Sequence, residues 1–400
     1  MIFVLVTIFI DAIGFGLIMP VLPQLLMRVG QIELSDAIGI GAGMGLAMAV
    51  ASFIAAPILG NLSDRFGRRP VLLVSLGGLA VDYVLLAFAN TLPLVFLGRI
   101  VSGIFGGSYS TAMAAISDIT PPDERAKTFG LVSAAFGIGF VLGPAIGGLL
   151  GEYGDRAPFV VAAAMAGLNF LYGLVVFPET LRPENRRAFS FARANPLGAL
   201  KAMRALPGMA SVAVVLILWQ IASLVYATTW SFYGIAQFGW SPRMIGISLA
   251  AVGITIAISQ IFITGPAVKK FGERDAATIG LVVAIGGFVT YAFITQSWMA
   301  FVAMAFIALQ GLVQPSLMAM LSRRATADTQ GEVQGISAMA LGLGSIVAPL
   351  VLTTPMAYFT SADAPVYFPG APYLIAAGFG LVTLVLLRRL PRALAIGAQA

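Results

Sequence analysis

Long apolar runs alternate with short polar interruptions along the whole chain. The runs fall at 2–26, 38–60, 71–90, 93–117, 128–151 and 157–177, and again at 209–236, 243–268, 275–295, 298–321, 333–358 and 370–388. Each reaches the roughly 20 residues that an α-helix needs to cross the hydrocarbon core of a bilayer. The pattern therefore predicts an all-α membrane protein with twelve transmembrane helices in two sets of six. Between the sets, 178–208 is richer in Pro, Arg, Glu and Asn than its surroundings and reads as a cytoplasmic linker. The predicted organisation is a six-helix bundle over 1–177, the linker over 178–208, and a second six-helix bundle over 209–400.

An internal repeat supports the division. A shift of 205 positions carries Gly60 onto Gly265, Phe66 onto Phe271, Gly67 onto Gly272 and Arg69 onto Arg274. The same shift carries Ser117 onto Ser322, Asp123 onto Asp328, Gly130 onto Gly335, Gly137 onto Gly342, Gly139 onto Gly344 and Pro144 onto Pro349. Two pseudo-symmetric bundles follow, with a substrate site expected between them near the membrane midplane. The halves are not equivalent, because Lys269 stands where the first half has Asp64.

Composition agrees and narrows the class. With 59% hydrophobic and 10% charged residues among 400, and a mean hydropathy of +0.96, a soluble multidomain enzyme is excluded. The net charge of +6 comes from bases in short loops, not from one basic face, so no nucleic-acid partner is expected. Only Arg28, Arg156 and Arg243 lie on the side opposite the linker. Arg99 falls within a run and the remaining bases share the linker's side, so both termini are expected in the cytoplasm. Met1 leads into apolar residues without a basic stretch, which reads as a first membrane helix and not as a signal peptide. Neither Cys nor His occurs, and the acids lack metal-ligand spacing, so no catalytic constellation, cofactor or metal site is expected. The glycine-rich strings follow no strand and lack a Gly-Lys-Ser/Thr end. That argues against ATP and leaves an ion gradient as the energy source.

Three features carry candidate chemistry. The first is Gly-Asn-Leu-Ser-Asp-Arg-Phe-Gly-Arg-Arg at 60–69, closed by Pro70, which reads as a tight basic loop between two membrane helices. Asp64 is its one acid, suited to a neighbouring arginine or to the positive end of an adjacent helix. The second is charge at membrane depth. Of the 17 acids only Asp11 and Asp82 lie well inside a run, and of the 23 bases only Arg99 does. Such a group costs at least ~2.5 kcal/mol by insertion scales and usually faces a partner or a watery cavity. If its exposure changes with conformation, it can carry a proton. The third is the stripe Gly137, Gly139, Gly143, Pro144, Gly147 and Gly148 in the fifth run, which lets helices approach closely.

The 60–69 string resembles the loop motif of the major facilitator superfamily, and the Gly-Pro string at 143–148 resembles a marker of its proton-driven exporters. More narrowly, the chain is similar to the tetracycline/proton antiporters of the twelve-helix drug-exporter branch. The similarity covers nearly the whole length and is closest from Asp11 to Gly148. It runs through 60–73, Val-Asp-Tyr at 81–83 and Gly-Arg-Ile-Val-Ser-Gly at 98–103, then 245–251, 263–266 and 330–335 in the second half. The resemblance implies proton-coupled export of a small amphipathic drug, most of all of tetracycline type, across the bacterial inner membrane by alternating access. A divalent metal would enter only as part of a substrate chelate. It assigns Asp11, Asp82 and Arg99 to the transport and proton pathway. It also implies a cytoplasmic gate of Asp64, Arg65, Arg68 and Arg69, with Asp118 near Arg68.

Where those exporters carry a histidine in the eighth helix and an acid in the ninth, this chain has Ile256 and Ile285. The second half is thus expected to meet something more apolar or uncharged. Trp219, Gln220, Tyr226, Gln260, Gln310 and Gln314 are its candidate pocket residues. Interhelix hydrogen bonding or anchoring at the membrane interface is the competing role for each. Export of other drugs or of a native metabolite, and a non-transporting membrane sensor or scaffold, stay open as alternatives. The sequence does not specify an oligomeric state.

Overall fold

The computed structural model describes residues 1–121, 123–191, 194–195, 209–323 and 330–390. The second part of the linker, 196–208, and the C-terminal residues 391–400 lie outside the described residues. Regular structure among the described residues is helical. Eleven helical segments are long and apolar enough to cross a membrane, and a bent pair makes a twelfth. The first half comprises α1 (Ile2–Ile18), α2 (Leu22–Gly30), α3 (Leu34–Phe66), α4 (Arg68–Phe88), α5 (Leu92–Phe105), α6 (Ser108–Ile119), α7 (Arg125–Gly151) and α8 (Ala157–Val176). The second comprises α9 (Met209–Ser223), α10 (Val225–Phe238), α11 (Pro242–Ile258), α12 (Gly265–Phe271), α13 (Glu273–Phe293), α14 (Ser297–Gln310), α15 (Val313–Ser322), α16 (Gln330–Ala348), α17 (Thr354–Phe359) and α18 (Ala371–Arg389).

Apolar runs fix where spans lie but not where they break. The first run bends by 49° between α1 and α2, at the turn containing Pro20, which has no N–H to offer the helix ladder. The fourth run is interrupted at Gly106 and Gly107, and the tenth at Gly311, residues with poor helix propensity. The eighth and eleventh runs continue through π-helical turns at Ser259–Thr264 and Pro349–Thr353. The expected loop at 60–69 is corrected to something tighter. Helix α3 continues to Phe66 and α4 begins at Arg68, so Gly67 alone separates them. Its φ of 108° lies where a side chain is rarely tolerated, so one glycine makes the whole turn.

By contacts the chain divides into two compact units. One holds residues 1–33, 47–195 and 240–253; the other holds 34–46, 209–239 and 254–390. In the first, Phe3, Val4 and Ile8 of α1 pack on Leu72 and Leu76 of α4, Ala112, Ala115 and Ile116 of α6, and Val132 of α7. Helix α7 meets α1 along the glycine stripe. A methyl placed on Gly139 would lie 2.6 Å from the Phe9 carbonyl oxygen, and one on Gly143 would lie 2.7 Å from that of Ile13. Gly147 abuts the Leu17 backbone in the same way, and Pro144 packs on Gly16. Gly148 turns instead to α11, beside the Pro242 carbonyl. Gly137 has nothing within 4 Å of that kind and stands apart from the packing. The second unit is centred on buried rings. Trp230, Tyr233, Tyr291, Tyr373 and the half-buried Tyr226 meet at centroid distances such as 4.8 Å for Tyr233 and Tyr373 and 5.4 Å for Trp230 and Tyr291, both edge-on.

Candidate functional site

Within the first unit, α1, α3, α4, α5, α6 and α7 line a cavity of about 250 Å³, α3 through Met48 and Ser52. Phe15, Tyr109 and Phe136 form much of its apolar lining, and the Asp11 carboxyl and Tyr83 supply polar groups. The rings support one another: Phe15 lies 6.4 Å from Phe140, Phe136 lies 6.0 Å from Phe140, and Tyr109 meets Phe136 edge-on at 5.8 Å. Asp11 receives two hydrogen bonds. Ser108 Oγ donates to Oδ2 at 2.9 Å and Asn169 Nδ2 to Oδ1 at 3.3 Å. The interruption at Gly106 and Gly107 gives Ser108 its place, because α6 restarts there with Ser108 as its first residue.

Asp82 on α4 is fully buried and pairs with Arg99 Nη2 of α5 at 3.2 Å. Arg99 is itself 6% exposed, so the pair is closed from the surface. Gly98 makes the approach possible, since a methyl there would come 2.9 Å from Asp82 Oδ1. Tyr83, the next residue after Asp82, lines the Asp11 cavity. Thus one cavity and one ion pair, joined through Tyr83, contain all three charges read at depth.

At the α3–α4 turn, Arg68 is buried and gathers acceptors. Its Nη1 donates to Asp64 Oδ1 at 2.7 Å and to Ser63 Oγ at 2.6 Å, and its Nε donates to Asp118 Oδ2 at 2.9 Å. Asp64, Arg68 and Asp118 therefore form one network. Arg65 and Arg69 lie beside it: Arg65 sits 5.0 Å over the Phe66 ring, and Arg69 donates to the Leu174 carbonyl at 2.8 Å. Sequence reasoning missed Glu179, in the first part of the linker. Its carboxylate accepts the backbone N–H groups of Arg68 at 2.8 Å and Arg69 at 3.3 Å, at the positive N-terminal end of α4. It fills the space that a side chain on Gly67 would need. Asn61 Nδ2 donates to the Ser190 carbonyl at 2.6 Å and the Arg187 N–H to the Asp64 carbonyl at 3.0 Å, tying the linker to the same turn.

The six candidates of the second half occupy several settings. Trp219 and Gln220 are buried, and Gln220 packs where Gly344 of α16 leaves room. Tyr226 belongs to the ring cluster, 5.7 Å from Tyr291 and 5.9 Å from Tyr373. Gln260 is exposed on the π turn. Gln310 ends α14 and Gln314 lies in the first turn of α15, and their side-chain oxygens are buried without a donor among the described residues. Of the two isoleucines, Ile285 packs against Gly380 of α18. Ser108, Asn169 and the ring wall escaped the sequence reading because it searched for charge at depth. A lone amide within the apolar run 157–177 was the available signal for Asn169.

A sequence profile described as Major Facilitator Superfamily matches residues 4–236 and 221–398. The chain is 43% identical over 390 residues to the class C tetracycline resistance protein of Escherichia coli, covering 97% of this chain and 96% of that one. It is 39% identical over 380 residues to the class G tetracycline resistance protein of Vibrio anguillarum, covering 95% of each. Among solved structures, a mutant form of the nucleoside transporter NupG superposes with a TM-score of 0.80 at 14% identity, over 97% of this chain and 99% of that one. The human organic anion transporter MFSD10 superposes with a TM-score of 0.71 at 24% identity, over 96% and 98%. At these identities the structural likeness speaks for the fold.

Proposed function

The chain belongs to the major facilitator superfamily, and within it to the tetracycline resistance proteins; from that premise we propose that it exports a small amphipathic drug of tetracycline type in exchange for protons. The observation that carries the reading is the Asp11 carboxyl set into the wall of a ring-lined cavity. The rings offer an amphipathic molecule an apolar surface, and the carboxyl offers a group that can be charged or neutral. In exchange, drug and proton use the first unit in turn: Asp11 releases its proton toward the cytoplasm and takes another from outside. The buried Asp82–Arg99 pair, with Asp82 next to Tyr83 along α4, takes part in the same proton pathway. Asp64, Arg68 and Asp118 latch the cytoplasmic end. A divalent metal travels only with the drug, as its chelate. The protein resides in the bacterial cytoplasmic membrane, and the proton gradient is its only energy source.

Everted membrane vesicles provide the test. They are expected to accumulate tetracycline with magnesium when acidified inside, to lose that uptake when the pH gradient is collapsed, and to lose it in Asp11→Asn. Wild-type vesicles that move no drug, or an Asp11→Asn variant with normal coupled uptake, would reject the assignment. Ile285, packed on Gly380, favours a second reading in which the cargo is another, uncharged drug or metabolite. A panel of compounds measured with and without divalent metal separates the two, because only a chelate-type cargo is expected to require the metal.

A further inference from the structure

We infer that Asn169 is a positioning residue for Asp11: its side-chain amide, locked by Thr7, holds the carboxyl in place and releases it when a proton arrives. The inference rests on the proton-coupled reading above. Asn169 is fully buried in α8, and an amide in an apolar helix is costly unless its hydrogen-bonding groups are matched. They are matched in one orientation only. Thr7 Oγ1 donates to Asn169 Oδ1 at 3.2 Å, and the groups on the other side, the Asp11 carboxylate and the Thr7 carbonyl, only accept, which requires Nδ2 to face them. The Nδ2 hydrogens then reach Asp11 Oδ1 at 3.3 Å and the Thr7 carbonyl at 3.5 Å.

Both side chains that bond Asp11, Asn169 and Ser108, act as donors to it. Donors suit a carboxylate and favour the ionised form; a protonated carboxyl carries an O–H that seeks an acceptor, and its hydroxyl oxygen accepts more weakly. Asn169 Nδ2 cannot accept, so a proton placed on Oδ1 weakens its bond and loosens the α1–α8 contact there. The other groups facing Asp11 do not substitute. Tyr83 on α4 and Tyr109 on α6 share the cavity, Asp82 and Arg99 are paired with each other, and α7 meets α1 through Gly139, Gly143 and Gly147. Nor does the architecture itself call for this polar cluster. The 205-position repeat carries Asp82, Arg99 and Ser108 onto Gly287, Met304 and Val313, so the second half builds the matching helices with no polar side chain at these places.

The experiment measures drug-driven exchange in everted vesicles across a pH series for wild type, Asn169→Ala and Thr7→Val. Losing a hydrogen bond to a charged group corresponds to about a ten-fold fall in maximal rate for Asn169→Ala, with the KM for drug within about two-fold of wild type because the amide does not line the cavity. Its pH profile is expected to move to the alkaline side, since a carboxylate without its N–H donor holds a proton more firmly. Thr7→Val, which conserves volume and frees the amide to rotate, is expected to move the profile the same way by less. A rate loss with an unmoved pH profile in both variants would overturn the inference, as would wild-type behaviour of Asn169→Ala. If Asn169→Ala does not fold, the Thr7→Val profile alone decides. Wild-type vesicles without proton-coupled flux would instead reject the exporter reading.

Discussion

At the scale of single residues the costliest feature is the Asp82–Arg99 pair. Both groups are shut away from the surface and meet at 3.2 Å, and Arg99 Nε has no further partner among the described residues. A buried pair is at best a modest source of stability, but removing one member leaves the other charged and unmatched, at about 3–5 kcal/mol. Asp82→Asn and Arg99→Gln are therefore each expected to lower the thermal midpoint of the purified protein. The double variant, with neither charge, should recover much of the loss while remaining inactive in exchange. A double variant as unstable as the sum of the two single losses would show that the groups do not act as a pair. Recovery without activity separates the two roles of these side chains: the stability cost belongs to the mismatch, and the exchange belongs to the charge.

At the scale of elements, the approach of α7 to α1 sets where Asp11 lies. The stripe was legible as a row of small residues, but which members it uses was not. Gly143 abuts the Ile13 backbone, two residues beyond Asp11, whereas Gly137 has open space. Gly143→Ala must push α1 aside, and overpacking of this kind costs roughly 1–3 kcal/mol. It is expected to lower both the thermal midpoint and the export rate, while Gly137→Ala leaves both near wild type. Equal behaviour of the two would remove the stripe from the positioning of Asp11. The same limit explains what else the sequence did and did not show. Asp11, Asp82 and Arg99 were legible because charge is rare at membrane depth, and the Arg68–Asp118 pairing only through the family resemblance that the long 60–69 string carries. Glu179, Ser108 and Asn169 are ordinary residues until folding brings them to a helix end or a carboxyl far away in the chain. The run boundaries were legible from hydropathy, whereas the breaks at Gly106–Gly107 and the turn made by Gly67 alone depend on backbone geometry that hydropathy does not encode.

At the scale of the whole molecule the bent pair α1–α2 decides the topology. Counted as one span it brings the total to twelve, and an even number returns both ends of the chain to the same side of the membrane. Counted as re-entrant it leaves eleven, and the ends part. The bases favour twelve: Arg28 lies in the last turn of α2, at the end of the bent pair and on the sparsely basic side with Arg156 and Arg243, whereas Arg388 and Arg389 close α18 on the side of Arg65, Arg68 and Arg69. We therefore propose that both ends face the cytoplasm. The absence of cysteine makes this directly measurable, because every introduced thiol is the only one in the chain. In intact cells, a membrane-impermeant maleimide is expected to label Glu33→Cys and Ser361→Cys, which lie after α2 and between α17 and α18, and to spare Ile2→Cys, Asp123→Cys and Arg389→Cys. In everted vesicles the pattern should invert. Labelling of Ile2→Cys from outside, with Arg389→Cys still protected, would make the bent pair re-entrant. It would also remove the proposed route by which Asp11 releases its proton toward the cytoplasm, because the bent pair would then enter and leave by the outer face.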